Sequence, residues 1–193
     1  MSTHDQDGLE PPLLLLAMPQ VLDPFFHQSV VLLVHHETEG SVGFIVNRPT
    51  TIRVAEVLQG LEVDWHGEHG ERAFFGGPVR PQIGTLLYRP ANDEVNLEDS
   101  VAPGIAMTQQ LDGLATVLAG APPELRLVLG YAGWGEGQLV EEILRNDWVV
   151  APVNADLVFA DDPEAAWRAA FDSVGIDPAT LPTWTPDTDG QAN

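Results

Sequence analysis

Apolar residues fall along the chain in two rhythms, short unbroken runs and stripes that return every three or four positions. LLLLAM (residues 13–18) and SVVLLVHH (residues 29–36) are of the first kind. Runs of that length, the second rich in β-branched side chains, predict buried strands. SVGFIV (residues 41–46) follows a turn containing Gly40, so the second and third runs are expected to pair as a hairpin. Val54, Val57, Leu58 and Leu61 then share one helical face, and Gly60 predicts the end of that helix.

The alternation continues to the C-terminal side. RAFFGGPV (residues 72–79) predicts a strand running into a glycine turn, and IGTLLYR (residues 83–89) another strand. Leu111, Leu114, Ala115 and Leu118 predict a helix, and LRLVLGYAG (residues 125–133) a strand. Leu139, Val140, Ile143, Leu144 and Trp148 are expected on one side of the next helix, before DWVVAPV (residues 147–153) returns as a strand. Asp162 and Pro163 have the character of an N-cap and first helical position, followed by the stripe Trp167, Ala170, Phe171 and Val174. No repeat of 20 to 50 residues interrupts this order, which excludes a solenoid.

Length turns the pattern into one body. A chain of 193 residues, 44% of them hydrophobic, can bury a sizeable core as one domain, expected over residues 13–181. Residues 1–12, acidic and polar, and residues 182–193 lack an apolar period and are expected to be flexible tails, and the loop over residues 61–72 is expected to be mobile. No apolar run approaches the ~20 residues that span a bilayer. The opening MSTHDQDGLE has neither basic nor apolar signal region, so a cytoplasmic protein without membrane contact is expected. With no cysteine, disulfides, thiolate nucleophiles and cysteine metal sites are excluded.

Charge narrows the partners. Eight Lys plus Arg against 29 Asp plus Glu leave a net charge of −21, which repels phosphate backbones and disfavours direct nucleic-acid contact. Solubility accounts for much of that charge; a basic protein partner is the sharper expectation.

Candidate chemistry centres on LGYAGWGEGQLVEEI (residues 129–143), a strand, glycine loop and helix in the order of a phosphate-binding turn. Gly130, Gly133, Gly135 and Gly137 miss the GxGxxG spacing, no GK[ST] follows, and Glu136 would repel a phosphate. The loop is expected to be architectural, with Tyr131 and Trp134 packing over a neighbouring strand. Glu141 is expected to pair with Arg145 one turn on, leaving Glu142 an ordinary exposed carboxylate. WHGEHGE (residues 65–71) offers His66, Glu68, His69 and Glu71, but not at HExxH spacing, so a solvated loop is expected rather than a metal site. His35 and His36 are expected near a turn at the surface, and His27 has no evident partner. Ser41 fails the GxSxG elbow, and no cofactor motif or catalytic constellation stands out.

Three blocks carry a resemblance: LLLLAMPQVLDPFFHQSVVLLVHHETEGSVGFIVNRP, FFGGPV and LGYAGWGEGQLVEEILRNDWVVAPVN. In order and spacing they resemble the YqgE/AlgH family of bacterial proteins, over about residues 13–176. The matching positions are Met18, Pro19, Asp23, Pro24, Phe26, Gly43, Asn47, Arg48 and Pro49, then Gly76, Gly77, Pro78 and Val79. In the last block they are Gly130, Tyr131, Trp134, Gly137, Gln138, Leu139, Glu142, Ile143 and Trp148. RPQIGTLLYRP departs from the family pattern, with Tyr88 where a histidine is common.

The resemblance implies a single α+β domain whose mixed, strongly coiled β-sheet forms a pseudo-barrel with flanking helices. It carries no catalytic positions to transfer, and the family name reflects a proposed regulatory role, sometimes rendered as transcriptional. A non-catalytic regulatory or adaptor module that binds a protein or small molecule is the expectation, with no cofactor and no metal. Its binding candidates are Asn47, Arg48, Gly76, Gly77, Tyr131, Trp134 and Gln138, because recognition concentrates where polar and aromatic side chains meet loops on a rigid scaffold. Two alternatives stand beside it: transcriptional regulation by direct DNA contact, which the charge disfavours, and a hydrolase whose pocket forms between GGPV and GYAGWGEG. The partner and the oligomeric state are left open.

Overall fold

The computed structural model describes residues 8–68, 70–91, 99–120 and 124–181. Among them the chain runs β1 (Leu13–Ala17), β2 (Val30–Glu37), β3 (Gly40–Ile45), β4 (Pro49–Arg53), α1 (Val54–Gly60), β5 (Arg72–Phe75) and β6 (Val79–Arg89). It continues as β7 (Ser100–Ala102), β8 (Ile105–Thr108), α2 (Leu111–Ala119), β9 (Glu124–Gly135), α3 (Gln138–Leu144), β10 (Trp148–Pro152), α4 (Ala155–Val158) and α5 (Pro163–Ser173). The strands form one sheet in the order β10-β1-β2-β3-β9-β6-β8-β7, with β5 beside β9 and β4 beside β5. All pairs are antiparallel except β5 with β9. The domain is α+β, and its sheet is curled into a half-barrel with helices around it.

β9 produces the curl. Its first half pairs with β5 and β6, and its second half pairs Ala132 through Gly135 with β3. Gly130, between the two halves, sits at φ +71, where an L side chain is strained, so the strand bends there and passes from one part of the sheet to the other.

β1 is buried on both faces, which explains its unbroken run of leucines. Leu14 and Leu16 pack with Leu32 and Phe44 against Trp167 and Phe171 of α5. Leu13, Leu15 and Ala17 face the opposite side, where Val31, Leu33, Trp134, Leu139 and Trp148 gather. A third cluster sets Val54 and Leu58 of α1 and Leu114 and Leu118 of α2 over Leu86 and Leu127. α5 starts as its sequence predicts: Asp162 Oδ1 accepts the N–H groups of Glu164 and Ala165 at 3.0 and 3.1 Å, with Pro163 first in the helix.

Several local expectations are corrected. Leu61, Leu111 and Leu144 are 44%, 51% and 76% exposed, because each lies at a helix end where the chain turns away from the core. Trp148 belongs to β10 rather than to the α3 stripe. β4, α4 and the β7–β8 hairpin were not legible from periodicity, since runs of three to five residues are too short to show a period. Residues 61–72, described except for His69, include Trp65, whose ring joins the third cluster and whose indole N–H donates to the Glu68 carbonyl at 3.1 Å. Residues 1–7 and 182–193, most of the two expected tails, lie outside the described residues, while Leu9 packs into the second cluster.

Ser29, fully buried at the start of β2, has a hydroxyl without a hydrogen-bond partner among the described residues. Ser29→Ala removes that uncompensated group and is expected to leave stability unchanged or raise it by up to about 1 kcal/mol in urea denaturation. A loss of more than about 1 kcal/mol would show that the hydroxyl has a stabilising partner.

Candidate functional site

The site is built on a loop pinned from below. Asn47, just after β3, accepts the Val30 N–H at 2.8 Å through Oδ1 and donates through Nδ2 to the Gln28 carbonyl at 3.0 Å. The Arg48 guanidinium donates to the carbonyls of Pro24 and His27. Burial pushes that guanidinium below its ordinary pKa, against the attraction of Asp23. Asp23 Oδ1 accepts the Phe25 N–H at 2.8 Å, and the His27 ring lies 2.9 Å from the Val21 carbonyl, a partner that the sequence did not reveal. Phe25 stacks on Phe75 with ring centres 5.6 Å apart, and Phe26 turns inward. Asn47 and Arg48 thus position the loop from beneath, and their donors and acceptors are engaged with backbone.

Phe26 meets Trp134 from β9 and Trp148 from β10. Trp148 is nearly perpendicular to both, with centroid separations of 5.7 Å to Phe26 and 5.9 Å to Trp134. Both tryptophans are buried, so their indole N–H groups need acceptors. One atom serves both: Glu142 Oε2 accepts from Trp134 Nε1 and Trp148 Nε1, each at 2.8 Å. Gln138, one helical turn before Glu142, donates to Glu142 Oε1 at 2.9 Å and accepts the Gly135 N–H at 3.0 Å. Glu142 is therefore a hub and not the free surface carboxylate expected. The expected Glu141–Arg145 pair is likewise replaced: Arg145 binds Asp147 Oδ2 through Nη2 at 2.7 Å and Nε at 3.2 Å, which raises its pKa.

Together these groups line a cleft of about 360 Å³ between the 19–29 loop and α3, with Leu22 at its rim, 67% exposed. Asp23, Gln138, Glu142, Arg145 and Asp147 supply its polar lining and Phe26, Trp134 and Trp148 its aromatic lining.

The other sequence candidates lie elsewhere. GGPV and GYAGWGEG do come together, but as backbone against backbone: a Cβ on Gly76 would lie 2.3 Å from the Gly130 carbonyl oxygen, and one on Gly77 2.1 Å from the Tyr131 carbonyl carbon. Gly76 N–H donates to the Leu129 carbonyl at 2.8 Å and its own carbonyl accepts from Ile45, so these groups close the sheet instead of facing a pocket. Tyr131 borders a neighbouring hollow with His35, Ser41 and Trp134. At its edge His36 Nδ1 lies 2.7 Å from Ser41 Oγ across the β2–β3 pair. Arg126 is buried with its guanidinium over the Phe74 ring at 4.4 Å, donates to the carbonyls of Val46 and Ala160, and is pushed down to about 10 by burial. Among the described residues, no three His, Asp or Glu side chains converge where a metal could sit.

Trp134 and Gln138 are thus the sequence candidates that meet in one cleft. Glu142 and Trp148 complete it, and sequence reasoning passed over both. The usable signal was the Gln138–Glu142 spacing of one helical turn beside two tryptophans that would need acceptors once buried.

Comparison with known proteins agrees with this architecture. The AlgH-like family profile matches residues 14–179. A UPF0301 protein of Methylococcus capsulatus is 39% identical over 170 residues, 86% of this chain and 90% of that protein. One of Myxococcus xanthus is 38% identical over 171 residues, 88% of this chain and 93% of its own length. The solution structure of the AlgH protein from Pseudomonas aeruginosa superposes with a TM-score of 0.69 at 30% identity, covering 92% of this chain and 99% of that one. A crystal structure of a Corynebacterium diphtheriae protein shares the fold with a TM-score of 0.72 at 22% identity, covering 90% of each chain.

Proposed function

The chain belongs to the AlgH-like family, and from that footing we propose a non-catalytic regulatory or adaptor module that works in the cytoplasm and binds its partner through the Trp134–Trp148–Glu142 cleft. One observation carries this: the cleft's charged and amide side chains are all engaged with one another or with backbone. A general base or nucleophile must be free to move a proton or attack, whereas a recognition surface gains from rigid, preorganised groups. The exposed Leu22 at the rim adds apolar area of the kind a partner covers.

Direct DNA contact finds no support in the distribution of cations. Of the chain's eight arginines and lysines, Arg48 and Arg126 are engaged with backbone carbonyls, and Arg53, Arg89 and Arg145 are paired with carboxylates. The remaining three, Arg72, Arg80 and Arg168, are too few to make a basic stripe that releases counterions.

Native mass spectrometry of the protein purified gently from its own cells tests the proposal. A stoichiometric bound species is expected, absent from the Leu22→Asn variant at unchanged thermal stability and from the Gln138→Ala variant while it stays folded. A species retained by both variants would place binding elsewhere.

A further inference from the structure

We propose that the cleft receives an arginine or lysine side chain from a basic segment of a partner protein, which rests on the reading of the cleft as the binding surface. Its charged lining comprises Asp23, Glu142 and Asp147 against Arg145, and Arg48 beneath the loop is drawn to Asp23, so 2 − 3 leaves −1 in a cleft with indole walls. Arg145 lies close enough to Glu142 to feel its charge, but its hydrogen bonds, from Nε and Nη2, both go to the same oxygen of Asp147.

Glu142 itself is held by neutral donors: two indoles on Oε2 and the Gln138 amide on Oε1. A carboxylate oxygen accepts more than one hydrogen bond, so Oε1 retains capacity for a charged donor. A half-buried carboxylate with neutral partners beside aromatic rings is the lining that suits a guanidinium or ammonium group, through a charge-assisted hydrogen bond and contact with ring faces. The chain's −21 charge adds long-range attraction for a basic segment and repels an acidic one. The cleft's surplus of carboxylates therefore selects the sign of the partner.

Tryptophan fluorescence titration with a blocked peptide alternating arginine and glycine is the test, with the glutamate–glycine peptide as comparison. The arginine peptide is expected to bind and change the emission, the glutamate peptide to do neither. Glu142→Gln keeps an acceptor for the indoles but removes the charge, and should weaken arginine-peptide binding roughly tenfold. Glu164→Gln, which removes the same charge from exposed α5 across the sheet, should change it less than about twofold. Equal weakening by the two variants would show diffuse attraction to an acidic protein and overturn the proposal, as would the absence of binding.

A second variant guards against loss of fold. Arg145→Gln removes the cleft's own cation and should tighten binding by about threefold, a gain that misfolding cannot produce, while Arg168→Gln on α5 should tighten it less. If the Leu22→Asn variant loses the native partner while Glu142→Gln and Glu164→Gln behave alike toward the peptide, the cleft stands and the cation assignment falls. If Leu22→Asn and Gln138→Ala both keep the partner, the cleft assignment itself falls.

Discussion

Replacing Gly130 by alanine is expected to destabilise the protein by about 3 kcal/mol or more, close to the limit at which the fold survives. Two costs coincide there. The residue sits at φ +71, and a Cβ would lie 2.4 Å from the Gly77 carbonyl oxygen and 2.9 Å from that of Val79. Both contacts are backbone, one in the β5–β6 connection and one in β6, so neither can swing aside as a side chain would. Gly175 separates the two costs, because it has nearly the same dihedral, φ +74, with nothing within 4 Å of its would-be Cβ. Gly175→Ala should cost only about 1–2 kcal/mol, the left-handed penalty alone. For a chain of this size the difference is visible in thermal unfolding, about 6–12 °C lost at Gly130 against roughly 2–8 °C at Gly175. Equal losses at the two positions would mean that the crossing of GGPV and GYAGWGEG tolerates a methyl group, and that the bend in β9 does not depend on the close approach.

The second large effect is expected at Glu142. Glu142→Ala strands two buried indole N–H groups at once, those of Trp134 and Trp148, which are 6% and 5% exposed. Each orphaned donor costs about 1–3 kcal/mol, so a total of about 2–6 kcal/mol is expected in urea denaturation. Glu142→Gln keeps a carbonyl acceptor and should cost about 1 kcal/mol. The near-ultraviolet circular dichroism of the tryptophans should change more in the alanine variant than in the glutamine variant, because the edge-to-face set of Phe26, Trp134 and Trp148 is held through that acceptor. If alanine and glutamine cost the same small amount, the indoles find other acceptors and Glu142 is not the hub.

The contrast between these two sites shows what a sequence can carry. Gly130 was visible as one of four glycines in a strand–loop–helix, and an architectural role for that loop was expected over a phosphate turn. Which carbonyls it meets was not visible, since Gly77 and Val79 lie far back in the chain and reach it only through the β5–β9 and β6–β9 pairings. Glu142 was misjudged for a related reason. Helical periodicity says which face a residue occupies, but Trp134 and Trp148 arrive from strands on either side of α3. Arg145 was paired to the wrong carboxylate because Asp147, just beyond the helix end, turns back toward it, and i, i+4 logic stops where the helix stops. Asn47 and Arg48 were recognised as special positions; only the structure shows that they hold a loop from beneath.

By itself the sequence determined what local periodicity and composition can encode: the long buried strands, four of the helices by their apolar faces, the cap of α5, the acidic character and the family. Those properties depend on neighbours within a few residues or on sums over the whole chain. The tertiary structure alone decided the order of strands in the sheet, the bend at Gly130 and the cleft where Phe26, Trp134, Gln138, Glu142 and Trp148 meet. Each of these requires segments distant along the chain to become adjacent, and long-range pairing is settled by the packing of the whole sheet, which no short window of residues contains.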